Sequence, residues 1–291
     1  MHAASIKQFA IDLYDGISNH NVFNGAAALA YYLFLSIFPA AIVLLSILPY
    51  LPIPHLEQAI VDLLGQALPR QSADLFTGIV KSVVSHRRGG LLSFGIVFGL
   101  WSASSGLSAI MQQLDITYEV TDNRPYWKFR GTALLLMVLF LILVIGGFSL
   151  IIFGGVIQGR LIGLLGNSKP LLILFASVRW IIVVVCLLLA FAMVYYFGPD
   201  VEQKFRFISP GSVFGVVLLA LASLGFQYYV THFSNYSLTY GSIGAVIILQ
   251  LWLYISGMVL LLGAEVNVLY ERSHPEGKDR GKKNLPDQER R

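Results

Sequence analysis

Charge and cysteine are what this 291-residue chain has least of. Asp, Glu, Lys and Arg together make up 12% of it, against the roughly 25% usual in a soluble domain. One stretch, Phe207 to Ala264, runs 58 residues without any of the four. That scarcity excludes a water-soluble globular protein. The single cysteine, Cys186, lies in an apolar run, so an intrachain disulfide is excluded and the residue reads as a small hydrophobe.

Catalytic signatures are missing too. The six histidines, His2, His20, His55, His86, His232 and His274, are scattered, with no HExxH and no clustered His/Asp pattern. A zinc or two-metal hydrolase therefore has no visible ligand set. Neither GxxxxGK[ST] nor GxGxxG occurs, which argues against nucleotide-driven pumping by this chain, and the GxSxG elbow of serine hydrolases is absent. Basic residues sit at segment ends and the formal charge is only +4, so no basic groove for nucleic acid is expected. Lys7, Asp12 and Asp15 precede any apolar run, unlike a cleavable signal peptide. No catalytic residue, metal site or cofactor is expected.

What is present is hydrophobicity: 56% apolar residues and a mean hydropathy of +0.71. About 20 apolar residues cross a bilayer, and the long uncharged run is interrupted by the polar, aromatic insert His232 to Ser242. It reads as two spans and a short turn. Extended along the chain, the same ruler predicts an all-α polytopic membrane bundle of six spans, at about 23–49, 90–114, 131–157, 171–197, 207–231 and 243–266. Residues 1–22 carry Ile6, Phe9, Ala10, Leu13 and Ile17 at helical spacing, an amphipathic interfacial helix. Residues 50–89 form an external loop with two more amphipathic helices, and 271–291 a charged, disordered tail. The membrane domain is 23–270. Counting Lys and Arg puts 13 on the side of both termini and six on the other, so both ends are expected in the cytoplasm.

Polar residues inside spans are the functional candidates, because lipid makes them costly. They are Asn24, the hydroxyls Ser102, Ser104 and Ser105, Arg179, Gln227, Gln250, Glu265 and Asn267. Interhelical hydrogen bonding is the competing role for each. For the serines it is a bond back to their own helix, for Arg179 snorkelling to the near interface, and for Glu265 an ion pair with Arg272 or Arg206. Arg124, Tyr126, Trp127 and Lys128 alternate cations with aromatics just before a span, as an interfacial anchor does.

Four ordered stretches resemble the YihY/BrkB family of bacterial inner-membrane proteins: Ala26 to Tyr32 with Ser36 to Pro39, Arg124 to Lys128, Ser237 to Ala245, and Gly263 to Asn267. The resemblance covers about residues 15–270 and implies six spans with cytoplasmic termini. Members have carried the labels ribonuclease BN and virulence factor. The expected function is non-enzymatic transport or flippase-like handling of a lipid or small solute in the envelope. A scaffold or accessory subunit, binding through the external loop and basic tail, is the alternative, and a tRNA-processing ribonuclease the remote one. Expected partners are membrane lipids and such a substrate, with a homo-oligomer left open and no nucleic acid.

Overall fold

The computed structural model describes residues 3–47, 89–165, 169–201, 206–232 and 242–273. The external loop, the middle of the 207–264 hairpin and the charged tail lie outside them. Seven helices occur among the described residues: α1 (Ala3–Asn19), α2 (Val22–Ile47), α3 (Gly89–Thr117), α4 (Tyr126–Leu165), α5 (Lys169–Phe197), α6 (Pro210–His232) and α7 (Ser242–Ser273). Lipid leaves no water for backbone amides, and a helix satisfies them within one segment.

The helix ends are written locally. Pro210 opens α6 at the first helical position, where its missing N–H costs nothing. Just before it, Ser209 and Ser212 cap each other: each backbone N–H donates to the other's hydroxyl, at 2.9 and 3.1 Å. At the far end of α3, Val120 N–H reaches Asp115 O at 2.9 Å and Glu119 N–H reaches Ile116 O at 3.1 Å. This is a Schellman closure. Helix α2 continues through Pro39.

From α2 to α7 each helix packs on the next, and α7 returns to α2, so the six close into a ring. Helix α7 also touches α3, while α1 lies outside the ring against α7 and α2. The core holds Ala26 and Leu29 of α2, Met111 and Leu114 of α3, Leu136 of α4, Val194 of α5 and Leu261 and Ala264 of α7. Among the described residues four helices hold stretches long and apolar enough to cross a membrane: Tyr126–Gly147, Trp180–Phe197, Pro210–Thr231 and Val246–Arg272. A further apolar stretch, Val22–Ile37 in α2, is shorter. Between 11% and 28% of the four long windows is buried, so most of their apolar surface faces outward. Such a surface is insoluble in water and fits lipid.

Small residues set the closest helix approach. A Cβ on Gly211 of α6 would strike the carbonyl oxygen of Gly263 of α7, and would lie 2.7 Å from Asn267 Oδ1. Asn267 in turn accepts the Gly211 N–H at 2.7 Å, so this polar candidate is a helix-to-helix staple. Gly147 and Gly225, by contrast, have open space where a Cβ would stand. Gly211→Ala is therefore expected to lower thermal stability in detergent by about 1–3 kcal/mol, the usual cost of overpacking. Gly225→Ala should be neutral or raise it by about 0.5–1 kcal/mol, as expected for a helix interior. Equal effects of the two changes would contradict the close contact.

Candidate functional site

Glu265 of α7 is only 1% exposed, although it ends an apolar run. A buried carboxylate needs a partner, and the partner comes from outside the ring. His20, in the turn after α1, places Nδ1 2.6 Å from Glu265 Oε1. Its Nε2 lies 3.2 Å from Glu119 Oε1, and Glu119 also receives Arg272 Nη2 at 2.9 Å. The order is thus Glu265, His20, Glu119, Arg272, with carboxylates and cations alternating. Arg272 sits in the last turn of α7, where a cation suits the helix dipole. An ion pair with Arg272 or Arg206 was the competing role for Glu265 in the sequence; among the described residues its ion-pair partner is His20.

Backbone geometry is spent on this arrangement. Glu119 has φ 54°, in the left-handed region. That position in a Schellman closure usually holds glycine, and a side chain there costs on the order of 1–2 kcal/mol. The strained backbone carries the one carboxylate that meets both His20 and Arg272. Gly16 of α1 makes room on the other side, because a Cβ there would lie 2.7 Å from Glu265 Oε2.

Together with Gln8, Phe9, Asp12, Asp15, Asn19, Val268 and Leu269, these residues line a half-enclosed cavity of about 580 Å³. Its floor is buried carboxylate and its rim includes the exposed Asp12 and Asp15. The hydrogen bond to Glu265 is the chief reason the His20 pKa is raised, over opposition from burial. Burial pushes Glu119 up, but Arg272 and His20 outweigh it and hold the carboxyl below its usual range.

A second ionic cluster lies at the same end of the ring. Arg124, with a side chain 7% exposed, donates to Asp122 at 2.8 Å and lies 3.5 Å from Asp115 and 3.9 Å from Asp200. It also caps the end of α5 through the carbonyls of Gly198 and Phe197, at 3.0 and 3.5 Å. Tyr126, Trp127 and Lys128 stand exposed as an interfacial anchor would, but Arg124 is turned inward as a structural clamp. Asp115, one residue beyond the expected end of its span, is pushed up to about 7 by burial, despite the Asp200 N–H at 2.8 Å and Arg124.

The remaining candidates fall apart in space. Ser104 and Ser105 donate to carbonyls of Trp101 and Ser102 in their own helix, at 2.7 and 2.6 Å. Arg130 crosses from α4, donating to the Trp101 carbonyl and to Ser108 Oγ, with its guanidinium 4.7 Å above the Trp101 ring. Asn24 and Gln227 are exposed on the outer surface, and Ser102 and Gln250 are half-buried. Arg179 lies on α5, but its side chain is outside the described set. Glu265 alone of the candidates reaches the cavity. His20, Glu119, Gly16 and the Arg124 carboxylates carried no motif. A histidine ending the interfacial helix just before the first span was the one signal available.

A ring of outward-apolar helices, with ionic groups gathered at one end around a buried carboxylate, defines a polytopic helical membrane protein. The family described as Virulence factor BrkB matches residues 13–287, and this chain belongs to it. Relatives include "Putative ribonuclease-like protein YfkH" of Bacillus subtilis, 35% identical over 280 residues, with 96% of this chain and 98% of the relative covered. A UPF0761 membrane protein of Vibrio campbellii is 30% identical, covering 86% of this chain and 78% of its own. Another, of Pseudoalteromonas atlantica, is 28% identical over 87% and 83% of the two chains. No solved structure matches. The resemblance to YihY/BrkB proteins is thereby confirmed. Among the described residues no group of three or more His, Cys, Asp or Glu is placed to hold a metal ion.

Two pH effects follow. A raised His20 pKa gives stability that is present in full below about pH 6.5 and is lost as pH rises through the raised value. His20→Gln should remove that dependence, read as the change in melting temperature between about pH 6 and 8; an unchanged slope would contradict the pairing. Asp115 is a carboxyl raised on folding, so the folded state binds its proton more tightly. Its contribution declines as pH rises from about 4 to about 7. Asp115→Asn keeps an oxygen for the Asp200 N–H and should flatten stability across that window, leaving the variant more stable than the parent at about pH 8.

Proposed function

We propose that this protein is a non-enzymatic transport protein of the bacterial inner membrane, a permease or flippase-like device for a lipid or small solute. It has six spans, with α2 and α3 completing the set, and both termini in the cytoplasm. The cavity beside Glu265 carries the reading. A purely structural ion pair needs no adjoining space of about 580 Å³, a size within the range of ligand sites. Ionisable groups placed in spans commonly mark substrate or proton paths. The excess of Lys and Arg on the side of both termini supports their cytoplasmic placement.

A ribonuclease role, which the Bacillus relative's name raises, has less support. Both ring nitrogens of His20 face carboxylates, leaving neither open to take a proton from a ribose hydroxyl. The helical packing and outward apolar faces suit a protein that works within lipid.

Reconstitution tests the reading. Proteoliposomes carrying fluorescent phospholipids, or small solutes trapped inside, should show protein-dependent movement that falls about tenfold or more in Glu265→Gln, the loss expected when a charge-assisted contact is removed. Flux equal to that of empty liposomes for every cargo would sink it. If deleting 50–89 or 272–291 abolishes the cellular phenotype while Glu265→Gln and His20→Gln leave it intact, the protein is an accessory subunit. Metal-dependent cleavage of tRNA precursors by the purified protein would restore the nuclease.

A further inference from the structure

The cavity is not neutral in its chemistry. Glu265 and Glu119 are matched by His20 and Arg272. Asp12 and Asp15, on the α1 side, have no cationic partner among the described residues; Asp12 takes only an amide hydrogen bond from Gln8, at 2.8 Å. With His20 protonated the lining therefore carries about two uncompensated negative charges, and with His20 neutral one more. A second observation points the same way. Glu265 uses Oε1 for His20, while Oε2 receives no hydrogen bond among the described residues, although the side chain is 99% buried and lines the cavity. That oxygen is an acceptor open to a donor entering the cavity. Phe9, Val268 and Leu269 supply apolar and aromatic wall beside these acids. Such a wall suits an organic cation with a carbon stem, and an aromatic face attracts ammonium.

We propose that this cavity binds a primary ammonium group, received by Oε2 of Glu265 at its floor and drawn in by Asp12 and Asp15 at its rim. The inference rests on the transport reading and names its substrate class: an alkylamine, or the ammonium of an aminophospholipid headgroup. Ligand and His20 proton compete, because both draw on the Glu265 carboxylate. Glu265 from α7 and Glu119 from the end of α3 face His20 directly, and the other charged groups that line the cavity with it are Asp12 and Asp15 from α1 and Arg272 from α7. Its hydrogen bonds to the two glutamates favour the doubly protonated ring, so rising pH discharges His20 and strengthens the field for a cation.

Calorimetry on the full-length, detergent-solubilised protein tests this with ethanolamine and putrescine, using inorganic phosphate as the anionic control. Saturable amine binding is expected, tightening by up to about tenfold per pH unit as pH rises through the raised His20 pKa, as one competing proton predicts. Glu265→Gln should weaken it about tenfold or more, and His20→Gln should flatten its pH dependence. Nanodiscs of phosphatidylethanolamine against phosphatidylglycerol separate the sources. Protection of α1 from hydrogen exchange only in the former identifies the lipid headgroup, and binding of soluble amines alone identifies a free amine. If Glu265→Gln does not fold, Gly16→Ala replaces it, since its Cβ would stand 2.7 Å from Oε2 and block the approach. No ammonium binding by the folded parent, binding unchanged in both variants, or preference for phosphate overturns the proposal. Ammonium binding without flux in proteoliposomes retains the site and removes the transport reading; flux without ammonium binding does the reverse.

Discussion

The carboxylate of Glu265 is the constraint around which one end of this protein is built. It stands on a helix whose neighbours are apolar, and its side chain is almost wholly buried. A lone charge there would cost several kcal/mol. The 2.6 Å contact with His20 supplies the counterpart, and it does so from the turn that follows α1. Helix α1 is thereby tied to α7 by chemistry as well as by packing, with Ile17 against the core. Glu119 accepts a left-handed backbone to reach the other side of the same ring, and Arg272 closes the series. Three separate parts of the chain are held by one imidazole.

The Arg124 cluster applies the same rule with a different result. Three carboxylates, from α3, the α3–α4 connection and the α5–α6 connection, surround one guanidinium that also caps α5. None of its members lines the cavity beside Glu265, and its bonds run to backbone as well as side chains. It fixes the connections between helices. The two clusters occupy one end of the ring, where helix termini and connecting turns already offer polar backbone groups. Farther along the helices, serine hydroxyls return to carbonyls one turn back, and Arg130 is covered by the Trp101 ring, with its buried Nε left without a hydrogen-bond partner among the described residues.

Much of the architecture was legible in the sequence. The 58-residue uncharged run required membrane helices, and α6 and α7 bound it as expected. Gly263 to Asn267 carried both the family resemblance and two residues that the fold uses, Glu265 and Asn267. Glu265 was conspicuous because a carboxylate closing an apolar run has few inexpensive explanations. Its partner was not legible: His20 is 245 residues away and was read as one of six scattered histidines. Arg124 misled for a related reason. Cation–aromatic alternation marks an interface, and Tyr126 and Trp127 obey it, with Trp127 76% exposed. Nothing in that pattern reveals three carboxylates waiting on the inner side.

By itself, then, the sequence determined the membrane class and the helical character, since hydropathy and segment length suffice for these in a solvent as apolar as lipid, and its ordered motifs carried the family. Tertiary structure alone decided which polar residues meet. A soluble helix announces its buried face through a hydrophobic stripe. These helices are apolar all round, so the face that turns inward is selected by close packing, as at Gly211 against Gly263, rather than by polarity. Only when that packing closes α7 onto α2 does Glu265 come beside His20. Only then does an isolated carboxylate become the floor of a cavity.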